Sequence, residues 1–274
     1  MELDNDYLYL PKKYWTKHKQ CELFVKQIED FITNDIYNEL RYQKIDLDSK
    51  NDIQEGEDIF DYLLRNKRIE EHDDLVRKSL VNGLLMDTCC FLQEALFCSK
   101  KKRLTVTFSL LRKPFIYNLP VYLRILFDSE FLEKFNYQDS FDVNSLTENE
   151  KKILIKESLP LLLGAKTLKE DELYDWIFNQ NEQDSLINLS NKALHLTTTR
   201  NKSNKTEMQN LNFIFANQHN VENLWNFLYQ RLPILLLYFV EIIDPLILTL
   251  IDFPTDAYEK RIEERIGIIT NNVC

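Results

Sequence analysis

The chain has 274 residues, enough for one large domain or two small ones, and 44% of them are hydrophobic, which excludes global disorder. Only 4 residues are glycine, which argues against a β-rich fold with many tight turns and against glycine-rich phosphate loops. The net charge of −10 predicts no overall electrostatic attraction to nucleic acid or to an anionic membrane. We therefore expect an all-α multi-helix bundle, with residues 1–274 as a single domain and a soft boundary near residue 140 as the alternative.

The cysteines and the apolar segments indicate the cellular compartment in which the protein is expected. None of the five cysteines forms a C-x-x-C pair, so neither a zinc site nor another metal or cofactor is expected, and their odd number favours a reducing cytoplasm. The N-terminus lacks the basic and apolar regions of a signal peptide. Residues 232–253 are apolar but are interrupted by Glu241, Asp244, Pro245 and Asp252. They predict a pair of core helices split at Pro245 rather than a membrane span.

The first half of the chain predicts several helices. Apolar residues at spacings of three and four favour a first helix over residues 12–41, followed by an acidic loop over residues 46–58 and a short helix, Ile59–Arg65. Residues 75–98 form the clearest helix, which Asp73 or Asp74 is expected to cap. Residues 104–127 are helical, and Pro114 and Pro120 predict two helices or a kinked one.

The second half begins with a polar connection over residues 137–144. Thr147 and Glu150 have the spacing of a capping box and predict a helix that runs to about Gly164 and is perturbed at Pro160. A second such pair, Thr167 with Glu170, predicts a helix to about residue 179, and another helix follows over residues 185–195. Residues 195–217 predict a small β-hairpin or a long ordered loop. Helices are expected again over residues 221–243 and, charged and peripheral, over residues 257–268.

The stretch RNKRIEEH, residues 65–72, is the sharpest candidate for catalysis. The Arg65 guanidinium can form two hydrogen bonds to a phosphate, and the His72 imidazole can accept a 2′-hydroxyl proton or protonate a leaving oxygen near neutral pH. Asn66 could orient either group, and Arg68 offers a second, shorter pairing with His72. Ordinary polar residues at a helix start are the alternative interpretation.

This stretch resembles the motif of HEPN-fold ribonucleases, in which four to six residues separate an arginine from a histidine and a polar residue often follows the arginine. The resemblance implies metal-independent RNA cleavage in a toxin or phage-defence system. It also implies that two copies of the chain face each other in a homodimer.

A second candidate is an anion-binding pocket. Arg112 lies in an apolar segment, and His195 and Arg200 flank a run of threonines, where helix is expected to give way to irregular chain. The alternative is a structural ion pair, because a buried charge is usually paired. Asp87 and Glu94 share one helical face. His18 and His219 have no recognisable partner in the sequence and are interpreted as surface residues.

Two basic clusters are interpreted as solvated helix ends, with local anion-binding patches as the alternative. They consist of Lys12, Lys13, Lys17 and Lys19, and of Lys100, Lys101, Lys102 and Arg103. Three functions therefore remain open: an RNA-cleaving HEPN-like effector, a non-catalytic helical protein that binds a protein partner, and a helical binder of an anionic small molecule. The expected partners are RNA or a protein, and no membrane is expected.

Overall fold

The computed structural model describes residues 6–47, 53–164, 166–197, 205–206, 212 and 218–270. Within them the protein is all-α, as the sequence predicts, and these residues form no strand. The α-helices are α1 (Trp15–Thr33), α2 (Asn38–Arg41), α3 (Ile59–Arg65), α4 (Ile69–Lys100), α5 (Leu104–Arg112), α6 (Leu119–Phe127), α7 (Phe131–Tyr137), α8 (Glu148–Ser158), α9 (Glu170–Ile177), α10 (Leu186–Leu194), α11 (Gln218–Leu250) and α12 (Thr255–Thr270). Short 3-10 turns lie at Lys12–Tyr14, Asp35–Tyr37 and Leu159–Leu161, and a π-helical turn lies at Lys113–Asn118.

The long helix α11 supplies much of the core. Its Trp225, Tyr229, Tyr238 and Phe239 are fully buried, and aromatic side chains of this size contribute large apolar areas. α1 packs against both α11 and α4, while α5 packs against α4 and α10. The buried apolar residues form one continuous cluster that draws on both sides of residue 140.

The first helix does not run to residue 41 as predicted. Asn34 has an extended backbone, with φ −84° and ψ 132°, and it separates α1 from the next turn. Its side chain accepts a hydrogen bond from the backbone N–H of Ile36, a local bond that competes with the helix. The short helix α3 is confirmed at its predicted bounds, and Asp58 caps it.

The helix α4 begins at Ile69, six residues before the predicted start at Leu75. Neither Asp73 nor Asp74 caps it, and His72 lies in its first turn instead of before it. The interruption predicted from the prolines is confirmed: Pro114 lies in the π-helical turn between α5 and α6, and Pro120 lies in the first turn of α6.

The capping box of Thr147 and Glu150 is confirmed at the start of α8. Thr167 does not cap the following helix, because α9 starts after Lys169 without a side-chain cap. The β-hairpin expected over residues 195–217 is not seen in the described part of this segment; residues 198–204, 207–211 and 213–217 lie outside the described residues.

The C-terminal helices differ from the prediction in two ways. α11 is not split at Pro245 but continues to Leu250, since packing on several sides outweighs the roughly 3 kcal/mol that an internal proline costs. α12 is charged but is not peripheral. Its Arg261 and Arg265 are buried and both donate hydrogen bonds to Asp244 of α11.

Two helices in the described part of the chain, Ile69–Lys100 and Asn220–Leu250, are long and apolar enough to cross a membrane. In their most apolar windows, 39% and 78% of the residues are buried inside the protein. Core helices of soluble proteins have the same length and composition, so these two properties do not distinguish the alternatives.

Candidate functional site

In the structure, Arg65 and Asn66 both donate hydrogen bonds to nearby groups of the same chain. Arg65 lies at the end of α3 and donates from Nε and Nη2 to the two carboxylate oxygens of Glu57, at 2.6 and 2.8 Å. The hydrogen bond from Arg65 lowers the pKa of Glu57 from 4.5 to about 2, so this carboxylate stays charged near neutral pH. The Asn66 amide donates to the backbone carbonyl of Tyr62 at 2.9 Å, at the C-terminus of α3. The guanidinium N–H groups of Arg65 that would bind a phosphate therefore already bind the Glu57 carboxylate.

His72 is buried, with 5% of its surface exposed. Its Nδ1 lies 2.9 Å from an oxygen of Asp73, and its ring lies between those of Phe60 and Tyr137, with centroid distances of 6.0 and 6.3 Å. A general base must come within hydrogen-bond reach of the substrate proton. RNA could reach this imidazole only after the surrounding side chains moved.

The charge around this pair is unfavourable for RNA. Residues 55–74 contain eight carboxylate side chains and three cationic ones, of which Arg65 is one. Carboxylates close to a phosphodiester repel it. The ribonuclease assignment stays a prediction, and in this geometry it requires that Glu57 release Arg65 and that His72 become accessible.

The residues predicted to form the anion pocket do not share one environment in the described part of the chain. Arg112 is half-buried; its Nε donates to the Tyr117 hydroxyl at 3.0 Å, and its Nη1 donates to the side chain of Asn191 on α10. His195 follows α10 and is exposed, and Arg200 lies outside the described residues. Arg112 thus links α5 to α10 through a hydrogen bond to a neutral amide and not through the ion pair weighed as the alternative.

Two other polar residues also have structural partners. Asp87 accepts hydrogen bonds from Lys113 at 2.7 Å and from Asn118 at 2.9 Å, which joins α4 to the π-helical turn. The expectation that His18 lies on the surface is wrong, because it is fully buried. Its Nδ1 lies 2.8 Å from the Tyr229 hydroxyl and its Nε2 lies 3.0 Å from a Glu22 oxygen.

The two basic clusters, which are more than eighty residues apart in the sequence, come together in the structure. The backbone N–H of Tyr9 donates to the carbonyl of Lys100 at 3.0 Å, which places the N-terminal turn beside the last turn of α4. The Lys100 ammonium lies 3.2 Å from Glu22 of α1, which fixes the same junction from the other side. We call the combined region the basic surface, and it consists of Lys12, Lys13, Lys17, Lys19, Lys100, Lys101, Lys102 and Arg103.

The local backbone explains why cations gather here. Lys102 adopts the left-handed conformation, with φ 62°, and the N–H of Arg103 donates to the carbonyl of Cys98, which closes α4. Cations at a helix C-terminus are stabilised by the helix dipole. At the N-terminal side, Pro11 precedes a 3-10 turn that carries Lys12 and Lys13 exposed to solvent. The cations thus project from two chain segments at one junction.

A signal for this surface exists in the sequence. Residues 7–21 and 95–127 contain no aspartate or glutamate, although the chain carries 44 of them. Each basic cluster lies in one of these two acid-free segments. The nearby carboxylate Glu22 accepts a hydrogen bond from Lys100 and lies within hydrogen-bonding distance of His18. Its pKa is lowered to about 2, chiefly by the hydrogen bond with His18.

In the described residues, no group of three or more histidine, cysteine, aspartate or glutamate side chains is arranged to hold a metal ion. Comparison with known proteins found no matching family model, no matching curated protein and no matching solved structure.

Proposed function

We propose that this protein binds RNA through the basic surface, without base specificity in the contacts that these cations make. The observation that supports this proposal is the junction of the two acid-free segments, which places the cations of residues 12–19 beside those of residues 100–103 in a chain of net charge −10. An acidic protein that gathers eight of its 34 lysine and arginine residues on one surface can attract a polyanion there and repel it elsewhere.

The chemistry of the surface fits a phosphate backbone. Lysine and arginine ammonium and guanidinium groups neutralise phosphates and release the counterions that surround the nucleic acid, which supplies most of non-specific affinity. Lys12, Lys13, Lys102 and Arg103 are exposed and need no rearrangement of the fold to reach phosphates.

An anionic membrane is the other large polyanion with this chemistry, and the apolar side chains favour RNA. A peripheral membrane anchor combines its cations with several inserted apolar residues. In the described part of the N-terminal turn, Leu8 and Tyr9 are exposed, whereas Tyr7 and Leu10 are buried in the core. With Phe97, which contacts Lys101, three exposed apolar side chains lie at the basic surface, a small area for insertion.

The salt dependence of RNA binding tests the proposal. Replacing Lys101→Gln and Arg103→Gln together should weaken binding of a single-stranded RNA and reduce the slope of log K against log salt by about 1.4, since each cation contributes about 0.7. The matched control, Lys44→Gln with Lys134→Gln, removes the same charge far from the basic surface and should leave the slope unchanged. Binding should be measured by fluorescence anisotropy between 50 and 200 mM salt, conditions in which this effect is large.

Three results would contradict the proposal: no RNA binding at low salt, equal effects of the two double variants, or binding to phosphatidylserine vesicles in the absence of RNA binding. The same preparation tests the nuclease prediction. If RNA is cut, and if Arg65→Ala and His72→Ala abolish cleavage while both variants stay folded, that pair is catalytic. We expect RNA binding without cleavage at Arg65 and His72. His72 lies 28 residues before Lys100 on α4, which places it about 42 Å from the basic surface.

A further inference from the structure

A groove of about 190 Å³ lies between α1 and α4, next to the basic surface. Its apolar lining consists of Val25, Leu96 and Phe97, and its polar lining includes Lys26 and the ion pair of Glu22 with Lys100, which belongs to the basic surface. Phe97 is 43% exposed although it is a large aromatic residue. An exposed ring beside a phosphate-binding surface is the arrangement on which proteins stack the bases of a single strand.

Each of the two helices also contributes a polar side chain to the groove. The Gln93 amide donates to a Glu29 carboxylate oxygen at 3.0 Å, which holds both side chains at the groove. This bond uses one of the two amide hydrogens and one of the two carboxylate oxygens. The pair therefore retains a donor and acceptors with which it can bind the edge of a planar ligand.

We infer that the RNA that binds the basic surface is single-stranded and that one of its bases enters this groove. This inference rests on the proposed function. The base stacks on Phe97 and directs its Watson–Crick edge towards Gln93 and Glu29, while the adjoining phosphate contacts Lys101, since Lys100 is already paired with Glu22. In a duplex the same base face and the same edge are already occupied by neighbouring bases, so a duplex can use only the cations.

Stacking of a base on Phe97 requires a neighbouring side chain to move. The Lys101 ammonium lies 4.1 Å from the centre of the Phe97 ring, so this flexible side chain turns from the ring to a phosphate when the base stacks. Tyr9 is 71% exposed and its backbone N–H donates to the Lys100 carbonyl, so it offers a second exposed ring at the basic surface.

The Glu29 carboxylate determines which base the groove prefers. Glu29 accepts hydrogen bonds, so it favours a base with an exocyclic amino group, such as cytosine, and repels the carbonyl that uracil presents at the same position. Gln93 can donate or accept and does not distinguish them by itself. The groove therefore prefers cytosine to uracil.

The experiment compares three fluorescent ligands of equal phosphate number: oligocytidine, oligouridine and an RNA duplex. The native protein should bind oligocytidine most tightly. Phe97→Ala should weaken single-strand binding by about tenfold and leave duplex binding unchanged, because the lost contact is stacking on a base. Glu29→Gln should reduce the preference for cytosine over uracil. Met86→Ala is the matched control, since Met86 is an exposed apolar residue of α4 far from the groove.

Equal effects of Phe97→Ala on the duplex and the single strands, or no effect on either, would overturn the inference. If Lys101→Gln with Arg103→Gln still weakened binding in that case, the proposed function would stand without it. If none of the three ligands bound at low salt, both proposals would fall. Urea unfolding of each variant shows whether a loss of binding reflects a loss of structure.

Discussion

At the scale of single residues, Asp244 shows how one buried carboxylate holds the C-terminal helix in place. It is 1% exposed and accepts hydrogen bonds from Arg261, at 2.8 Å, and from Arg265. The Arg261 guanidinium also lies 4.1 Å from the centre of the Phe31 ring. The two arginines are buried with it, so the group depends on the charge of Asp244 for much of its neutralisation.

We predict that Asp244→Asn lowers the free energy of unfolding by about 3–5 kcal/mol, because it leaves two buried cations beside a neutral side chain of the same shape. Urea unfolding followed by circular dichroism measures this loss. The control Glu263→Gln lies on the exposed side of α12 and should change the free energy by less than about 0.5 kcal/mol. A loss below about 1 kcal/mol for Asp244→Asn would show that water or other groups compensate these charges.

The candidate site at this scale was predictable in part. The residue types of Arg65 and His72 suit phosphate chemistry, and that much follows from the sequence. Their partners do not follow from it, since Glu57 and Tyr137 approach them only when the loop before α3 and the helix α7 are placed. The basic surface, in contrast, was visible as two clusters whose proximity depends on a backbone hydrogen bond of Tyr9.

At the scale of elements, a buried chain of polar groups joins α1, α4 and α11. Ser99 of α4 bonds to the Tyr229 hydroxyl of α11, which contacts His18 of α1 at 2.8 Å. If the tyrosine donates to Nδ1, then Nε2 carries the hydrogen that Glu22 accepts at 3.0 Å. Glu22 also accepts from Lys100 at 3.2 Å, so the chain ends at the basic surface.

This network predicts a pH dependence of stability. Because the hydrogen bond with His18 lowers the pKa of Glu22 from 4.5 to about 2, the folded protein binds fewer protons than the unfolded chain between these pH values. The stabilisation from Glu22 is therefore present above about pH 4.5 and is lost as the pH falls towards 2. Glu22→Gln should show a smaller loss of stability than the native protein between pH 6 and pH 3.

Urea unfolding at the two pH values measures this difference. Partial exposure of Glu22 to solvent weakens the effect, so the comparison between variants is more informative than its absolute size. Glu94→Gln, an exposed substitution on α4, controls for the change in net charge. Equal acid sensitivity of the Glu22→Gln and native proteins would contradict the prediction.

The elements themselves were predicted best where local chemistry decides. The bounds of α3, the capping box of Thr147 and the interruption between α5 and α6 follow from residues that act within one or two turns. The continuous α11 was missed because burial against other helices outweighs the cost of the internal proline. The early start of α4 was missed because the helix begins after Arg68 without a side-chain cap.

At the scale of the whole molecule, charge is divided between the two ends of α4. Carboxylates predominate in residues 55–74 at its start, and the basic surface lies at its end. A 32-residue helix is about 48 Å long, several times the Debye length of about 8 Å at physiological salt. The two ends therefore act as independent electrostatic regions, and RNA should meet the basic end.

The second whole-molecule feature is the long apolar helix α11, whose two buried carboxylates have partners inside the protein. Glu241 accepts from the backbone N–H of Gly164 at 2.6 Å, and Asp244 accepts from α12. Because the bundle already covers this helix, we predict that the protein purified without detergent is monodisperse and unfolds in one cooperative transition. Size-exclusion chromatography and calorimetry check this, and recovery only in detergent-containing extracts would contradict it.

The sequence by itself determined the all-α class, most helices and the existence of two basic clusters, because helical periodicity, caps and charge are encoded in residues near one another. Only the tertiary structure decided that His18 is buried, that α12 carries buried arginines and that the two clusters meet beside Tyr9. These outcomes depend on contacts between residues far apart in the chain, such as Asp244 with Arg265 and Tyr9 with Lys100, and no local pattern specifies which distant partner a polar group will find.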